Sequence, residues 1–229
     1  MMKVEIQVTV EVQTALCIGS GVSASTLGID RLTLKNHNGN LLIPGSALKG
    51  KLRMGCEQIL KTLKVRICQS PNPASMCPHY FWIHDNRENE EERYCPICEI
   101  FGSPWSESPL EFADLVWWDG EEWKKHKTDV RPGIAISRSR GVVEEDKLFY
   151  TETSPPDAKP RFAGDIHGYL KDNKQIALML TGLKDIRAFG NSKSRGLGWS
   201  DVSCDLISPD LTDEEIADAM KGWTNGQNT

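Results

Sequence analysis

Residues 41 to 55 read LLIPGSALKGKLRMG. An apolar strand runs into Pro44-Gly45, and Lys49, Lys51 and Arg53 then crowd together. Ser46 predicts the N-cap of a helix that runs to about Leu63. Leu48, Leu52, Ile59 and Leu63 share one side of that helix, while Lys49 and Arg53 share another at i, i+4 spacing. The stretch also reads Gly45-x-x-x-x-Gly50-Lys51, which mimics a nucleotide-binding P-loop. Such a loop needs Ser or Thr next, to hold magnesium. Leu52 stands there instead, on the core side, so nucleotide hydrolysis is excluded. Gly19-x-Gly21-x-x-Ala24 mimics a dinucleotide fingerprint, but no helix pattern follows it and no acid lies about 20 residues on. What survives is a helix N-terminus carrying Lys49, Lys51 and Arg53. Its N–H groups and dipole favour an anion, and Gly50 lets another backbone come close. With no base-reading motif, this is a sequence-independent grip on phosphates.

Upstream, RLTLK (31–35) and NLLI (40–43) flank Asn38-Gly39, a strong hairpin signal. Val4, Ile6, Val8, Val10 and Val12 alternate with polar residues, the pattern of a half-buried strand. Downstream, residues 66–108 are rich in proline, cysteine and charge and read as an insertion. Residues 109–119 read as a strand. Residues 130–165 read as a long exposed hairpin, QIALMLTGL (175–183) as a buried strand before a short helix, and SCDLI (203–207) as the closing strand. Thr212 and Glu215 form a capping box for a last helix. This order predicts one α+β domain over 1–229, with an antiparallel sheet and helices on one face.

The net charge of −5 seems to disfavour nucleic acid, but its distribution does not. Acids crowd 85–92 and 205–218, whereas bases crowd 44–66 and 124–140. One basic face on an acidic remainder is predicted. No apolar run reaches the ~20 residues that span a bilayer, and MMKVEIQVTVEVQ is not a signal peptide. A cytoplasmic chain with reduced thiols is expected, so seven cysteines need a reason other than disulfides. Cys68-x8-Cys77-x17-Cys95-x2-Cys98 matches a four-thiolate structural zinc site, which would order a polar insertion. His79 and His84 are the alternative ligands if Cys68 or Cys77 is not used. Cys17, Cys56 and Cys204 sit in apolar patterns as plain core thiols. In FGNSKSRGLGWSDV (189–202), three glycines with Lys193 and Arg195 make a loop able to wrap phosphates in N–H donors. Asp30 follows a stretch of small residues and, taken alone, reads as a turn residue.

Together these segments resemble a family. GIDRLTLKNHNGNLLIPGSALKGKLR (28–53) is similar to the strand, aspartate, hairpin and helix of the RAMP superfamily, specifically the repeated backbone subunit of type III CRISPR effector complexes. RPGIAISRSRGVVEEDKLFYTE (131–152) resembles its thumb hairpin, and IRAFGNSKSRGLGWSDV (186–202) its glycine-rich loop. The cysteine insertion resembles a zinc-bearing branch.

The resemblance implies a ferredoxin-like (RRM-like) core with a protruding thumb, stacked in a filament of repeated or paralogous copies and other effector subunits along a guide RNA. Ser46, Lys49, Lys51 and Arg53 would hold the guide backbone, with Lys193 and Arg195 alongside. The thumb, with Arg138 and Arg140, would wedge between bases. Asp30 falls on the position of the aspartate that cuts complementary target RNA at each splayed nucleotide, by placing magnesium or taking a proton. The rival expectations are a non-catalytic filament subunit and a guide-processing endoribonuclease. The latter usually needs histidine, and here His37 lies in a turn while His79 and His84 lie in the insertion.

Overall fold

The computed structural model describes residues 1–21, 28–85, 93–118, 128–155 and 157–224. The alternating valines form β1 (Met2–Val12), the second strand from one edge of the sheet. It pairs antiparallel with β7 (Arg161–Leu170) on one side and β8 (Ser200–Ser208) on the other, so that Val8 faces Gly164 and Cys204 across the ladders. Beyond β7 lie β3 (Leu110–Phe112), β4 (Leu115–Trp117) and then β2 (Leu42–Ile43). The helix α1 (Gly45–Thr62) follows β2, and α4 (Asn173–Lys184) joins β7 to β8. Both cover the face that carries Val4, Ile6, Val8, Val10, Phe162 and Ile166, all buried. This is the expected α+β, ferredoxin-like arrangement: an antiparallel sheet with its helices on one face. No helix among the described residues is long and apolar enough to cross a membrane.

The second face of the sheet is open. Strand alternation places Glu5, Glu11, Asp165, Asp201 and Asp205 on it, against Lys3 and Arg161. That face carries a net negative charge, which disfavours anions there.

Several expectations need correction. QIALMLTGL is not a strand but the body of α4. An apolar run of this length is ambiguous between the two states, and α4 is buried nearly all round because it lies between the sheet, α1 and α5 (Asp213–Lys221). Its N-cap is Asp172, which accepts the Gln175 N–H at 3.0 Å. A Cβ at Gly182 would come within 2.8 Å of Cys56 Sγ, so a residue without one lets α1 and α4 approach. The short helix expected between this run and the glycine-rich loop does not form: the chain leaves α4 at Asp185 and pairs Ala188 with Trp199, and a 3-10 turn, Lys193–Arg195, lies within the loop itself. The strand expected over 109–119 divides into β3 and β4, whose chain between them turns to put Asp114 at the start of α1. The exposed hairpin is β5 (Asp129–Ile136) with β6 (Val143–Thr153); residues 161–165 belong to β7. The insertion is less polar than its composition suggests. It folds as α2 (His79–Asp85), α3 (Pro96–Phe101) and a 3-10 turn. Its Ile67, Met76, Phe81, Ile97, Ile100 and Phe101 are buried in the same core as the sheet. The capping box of α5 forms as expected, with reciprocal bonds between Thr212 and Glu215.

Candidate nucleic-acid interface and catalytic site

The helix α1 and the glycine-rich loop converge. Ser46, Gly50, Lys51 and Met54 face Gly190 and Asn191 across a cavity of about 400 Å³. A second cavity of about 330 Å³ shares Lys51 and Met54 with it and is completed by Arg187, Lys193 and Trp199. The two lysines come from chain positions 142 apart, yet line the same cavity, Lys51 close enough to feel the Lys193 charge. Burial, with Lys193 beside it, holds Lys51 down at about 8. A phosphate between these lysines would relieve their repulsion and accept from both. Arg195 is exposed on the same loop.

The rest of the basic helix is arranged differently from expectation. Ser46 is not the N-cap; Pro44 is, with no side-chain cap of its own. Instead the Asp114 carboxylate accepts the Gly45 N–H at 2.8 Å, so the helix N-terminus already holds an anion from the protein. Arg53 is turned to the cysteines. Its guanidinium donates to Glu57 at 3.1 Å and to the Gly102 carbonyl at 3.0 Å, and lies 3.9 Å from Cys98 Sγ. Lys49 lies over the Phe112 ring, 5.6 Å from its centre, and burial followed by Arg53 lowers its pKa. The groove therefore rests on Lys51 and Lys193, while Lys49 and Arg53 face β3 and α3.

Asp30 stands at the base of the β5–β6 hairpin. Its Oδ2 accepts the Tyr150 N–H at 2.7 Å, and its own N–H donates to the Tyr150 carbonyl at 3.0 Å. Arg31 continues the pairing through Thr151 and lies 5.5 Å from the centre of the Phe149 ring. On the other side, Ser20 and Leu34 bond to Leu32 and Ile18, which ties the Asp30 segment to the wall of the groove. Asp30 is exposed, while its neighbour Glu152 is buried. Glu152 accepts from Lys35, Thr128 and the Thr33 N–H. Burial pushes its pKa up, and these three bonds outweigh burial and hold it below the carboxylate range. Glu152 thereby pins the Asp30 strand to the hairpin. YTETS (150–154) carries no motif that could have announced this role.

The hairpin projects with Ile134, Ile136, Val143 and Leu148 each about half exposed or more. Ile134 pairs with Leu148 and Ile136 with Val143, which makes one apolar stripe. Arg138 and Arg140 are exposed at its tip.

The four cysteines meet. The sulfurs of Cys68, Cys77, Cys95 and Cys98 lie within 4.8 Å of one another, all buried. Cys68 and Cys98 Sγ are 3.5 Å apart, and Cys95 and Cys68 Sγ 3.7 Å apart. Zinc with Zn–S of ~2.3 Å requires tetrahedral sulfurs ~3.8 Å apart, so the cage fits. His79 is not part of the cage: its ring stands edge-on to Trp105, centres 4.3 Å apart. The His84 side chain lies outside the described residues. Burial raises the pKa of Cys17, Cys56 and Cys204, as befits core thiols.

Two comparisons bear on this geometry. The family model of the RAMP superfamily matches residues 9–202. The chain is also 27% identical over 206 residues to the CRISPR system Cms endoribonuclease Csm3 of Methanocaldococcus jannaschii, covering 86% of this chain and 77% of that protein.

Proposed function

The chain belongs to the RAMP superfamily, and on that premise we propose that it is a guide-RNA-binding backbone subunit of a type III CRISPR effector complex that cuts base-paired target RNA at a splayed nucleotide. One observation carries the reading: Lys51 and Lys193 line one groove where α1 meets the glycine-rich loop. Such a groove grips any phosphate chain and leaves sequence to base pairing with the guide. The similarity to a CRISPR endoribonuclease supports the same reading. Neighbouring copies and other effector subunits would continue the groove, and the apolar stripe of the hairpin would enter between bases.

Cleavage asks little of the protein. A nucleotide splayed out of the stack can bring its 2′-hydroxyl into line with the adjacent phosphate. The 2′-oxygen bonds to phosphorus, the bond to the 5′-oxygen of the next nucleotide breaks, that oxygen takes a proton from water to leave as a hydroxyl, and a cyclic phosphate remains. Asp30, held by Tyr150 at the root of the hairpin, would take the hydroxyl proton. Magnesium sites need only one or two carboxylates beside phosphate and water. Asp30, with one oxygen bonded to Tyr150, fits as that carboxylate, and the ion would supply charge neutralisation at the phosphate. DNA lacks the nucleophile and should resist.

A second reading, a filament subunit that binds guide without cutting, is favoured by the Asp30–Tyr150 bond, which gives this carboxylate a structural task of its own. Assembly with guide RNA, followed by labelled complementary RNA and magnesium, separates the two. Regularly spaced products support cutting; intact target supports the filament alone.

A further inference from the structure

Trp199 stands out among the groove residues. It is 48% exposed and contributes nothing to the hydrophobic core. Its backbone, by contrast, is held from every side. The Trp199 N–H donates to Thr14 Oγ1 at 3.0 Å, and its carbonyl accepts the Gln13 N–H at 2.7 Å. Before it, Gly198 donates to Ala15 and accepts from Phe189; after it, Ser200 donates to Arg187. Gly198 has φ +72°, and a Cβ there would lie 1.9 Å from the Phe189 carbonyl oxygen, so the chain turns tightly at this point. The backbone is thus fixed in place while the side chain stays half exposed. Around it the cavity of about 330 Å³ is lined by Lys51, Lys193, Arg187, Asp185 and the half-exposed Met54.

An exposed tryptophan on a rigid backbone costs the folded chain an unfavourable apolar surface. A stacking partner accounts for it, because a flat π-face can lie on the indole while the charge it carries is met by the two lysines. With the backbone already fixed, only the side chain of Trp199 has to be ordered on stacking. Resting on the reading of this groove as an RNA site, we propose that Trp199 is a stacking platform for one base of the bound guide RNA, whose flanking phosphate lies between Lys51 and Lys193. Stacking is tolerant of base identity, so the platform sets the register of the strand and not its sequence.

The test measures guide-RNA affinity of the full chain over a range of salt concentrations. Trp199→Ala should weaken binding roughly tenfold, with the salt slope unchanged, because no phosphate contact is lost. Trp199→Phe should restore most of the affinity and Trp199→Leu should not. The double variant Lys51→Ala/Lys193→Ala should flatten the slope by ~2 charges. Wild-type affinity in Trp199→Ala, alongside a lysine variant that loses slope, overturns the platform and leaves the groove standing. An equal loss in the Phe and Leu variants also overturns it, since packing and not the π-face would then be at stake. An unchanged slope in the lysine variant removes the RNA reading of the groove itself. Melting temperatures of the three Trp199 variants within a degree of wild type show that the effects are on binding.

Discussion

Lys51 carries its charge under strain. Burial and the neighbouring Lys193 leave it titrating at about 8. The sign for binding follows directly. Below that value Lys51 is protonated whether or not phosphate is present, so affinity is flat. Above it the free protein has lost the proton that a phosphate would restore, so affinity falls as pH rises. Guide-RNA affinity should hold from pH 6.5 to 7.5 and decline between pH 8 and 10. In Lys193→Gln the decline should begin at higher pH, because the like charge is gone. A profile flat to pH 10 contradicts the groove. Glu152 makes the opposite case. Its folded pKa lies below its unfolded value of ~4.3. Its contribution to stability is therefore complete above that value and is lost as pH falls through the folded pKa. Glu152→Gln should cost about 2 kcal/mol at pH 7, or roughly 5 °C in Tm. The cost should shrink towards pH 3, and a cost independent of pH would show that the charge does not matter.

At the scale of elements, legibility in the sequence followed the range of the signal. The alternation of β1, the body of α1 and the Thr212–Glu215 box are local patterns, and the structure keeps them. The cap of α1 is not local: Asp114 lies 69 residues away, so Ser46 looked like the acceptor at hand. The direction of Arg53 likewise depends on where α3 lands. An apolar run such as 175–183 can be a buried strand or a buried helix, and Asp172 three residues before Gln175 was the one cue to a helix. The cysteine spacing was legible because chelation restricts it. The insertion should carry about one zinc per chain. Cys95→Ser should lose the metal and loosen residues 68–98 while the sheet persists, since the sheet's ladders do not run through the cage. Metal analysis of freshly purified protein with no zinc would rule this out. Arg53→Ala should weaken the hold on α3 and speed metal loss to a chelator, leaving the salt slope of RNA binding unchanged.

The whole molecule separates its charges. Acids line the open sheet face and α5, while the lysines gather where α1 meets the glycine-rich loop. That separation explains how a chain of net charge −5 can bind a polyanion. It also orients the chain, with the groove, the Asp30 strand and the hairpin base joined by one run of backbone hydrogen bonds. The central claim is that this connected surface holds a guide and cuts its target at Asp30. The most direct measurement compares wild type with Asp30→Asn in guide-loaded particles, following single-turnover cleavage of labelled complementary RNA and target affinity together. Asn keeps the oxygen that accepts the Tyr150 N–H, so the hairpin root stays folded, yet it loses the charge and the proton acceptor. Target binding should persist or tighten slightly, and cleavage should fall by at least ~10²-fold. Cleavage at the wild-type rate in Asp30→Asn would contradict the account and leave Asp30 as the residue that anchors the hairpin.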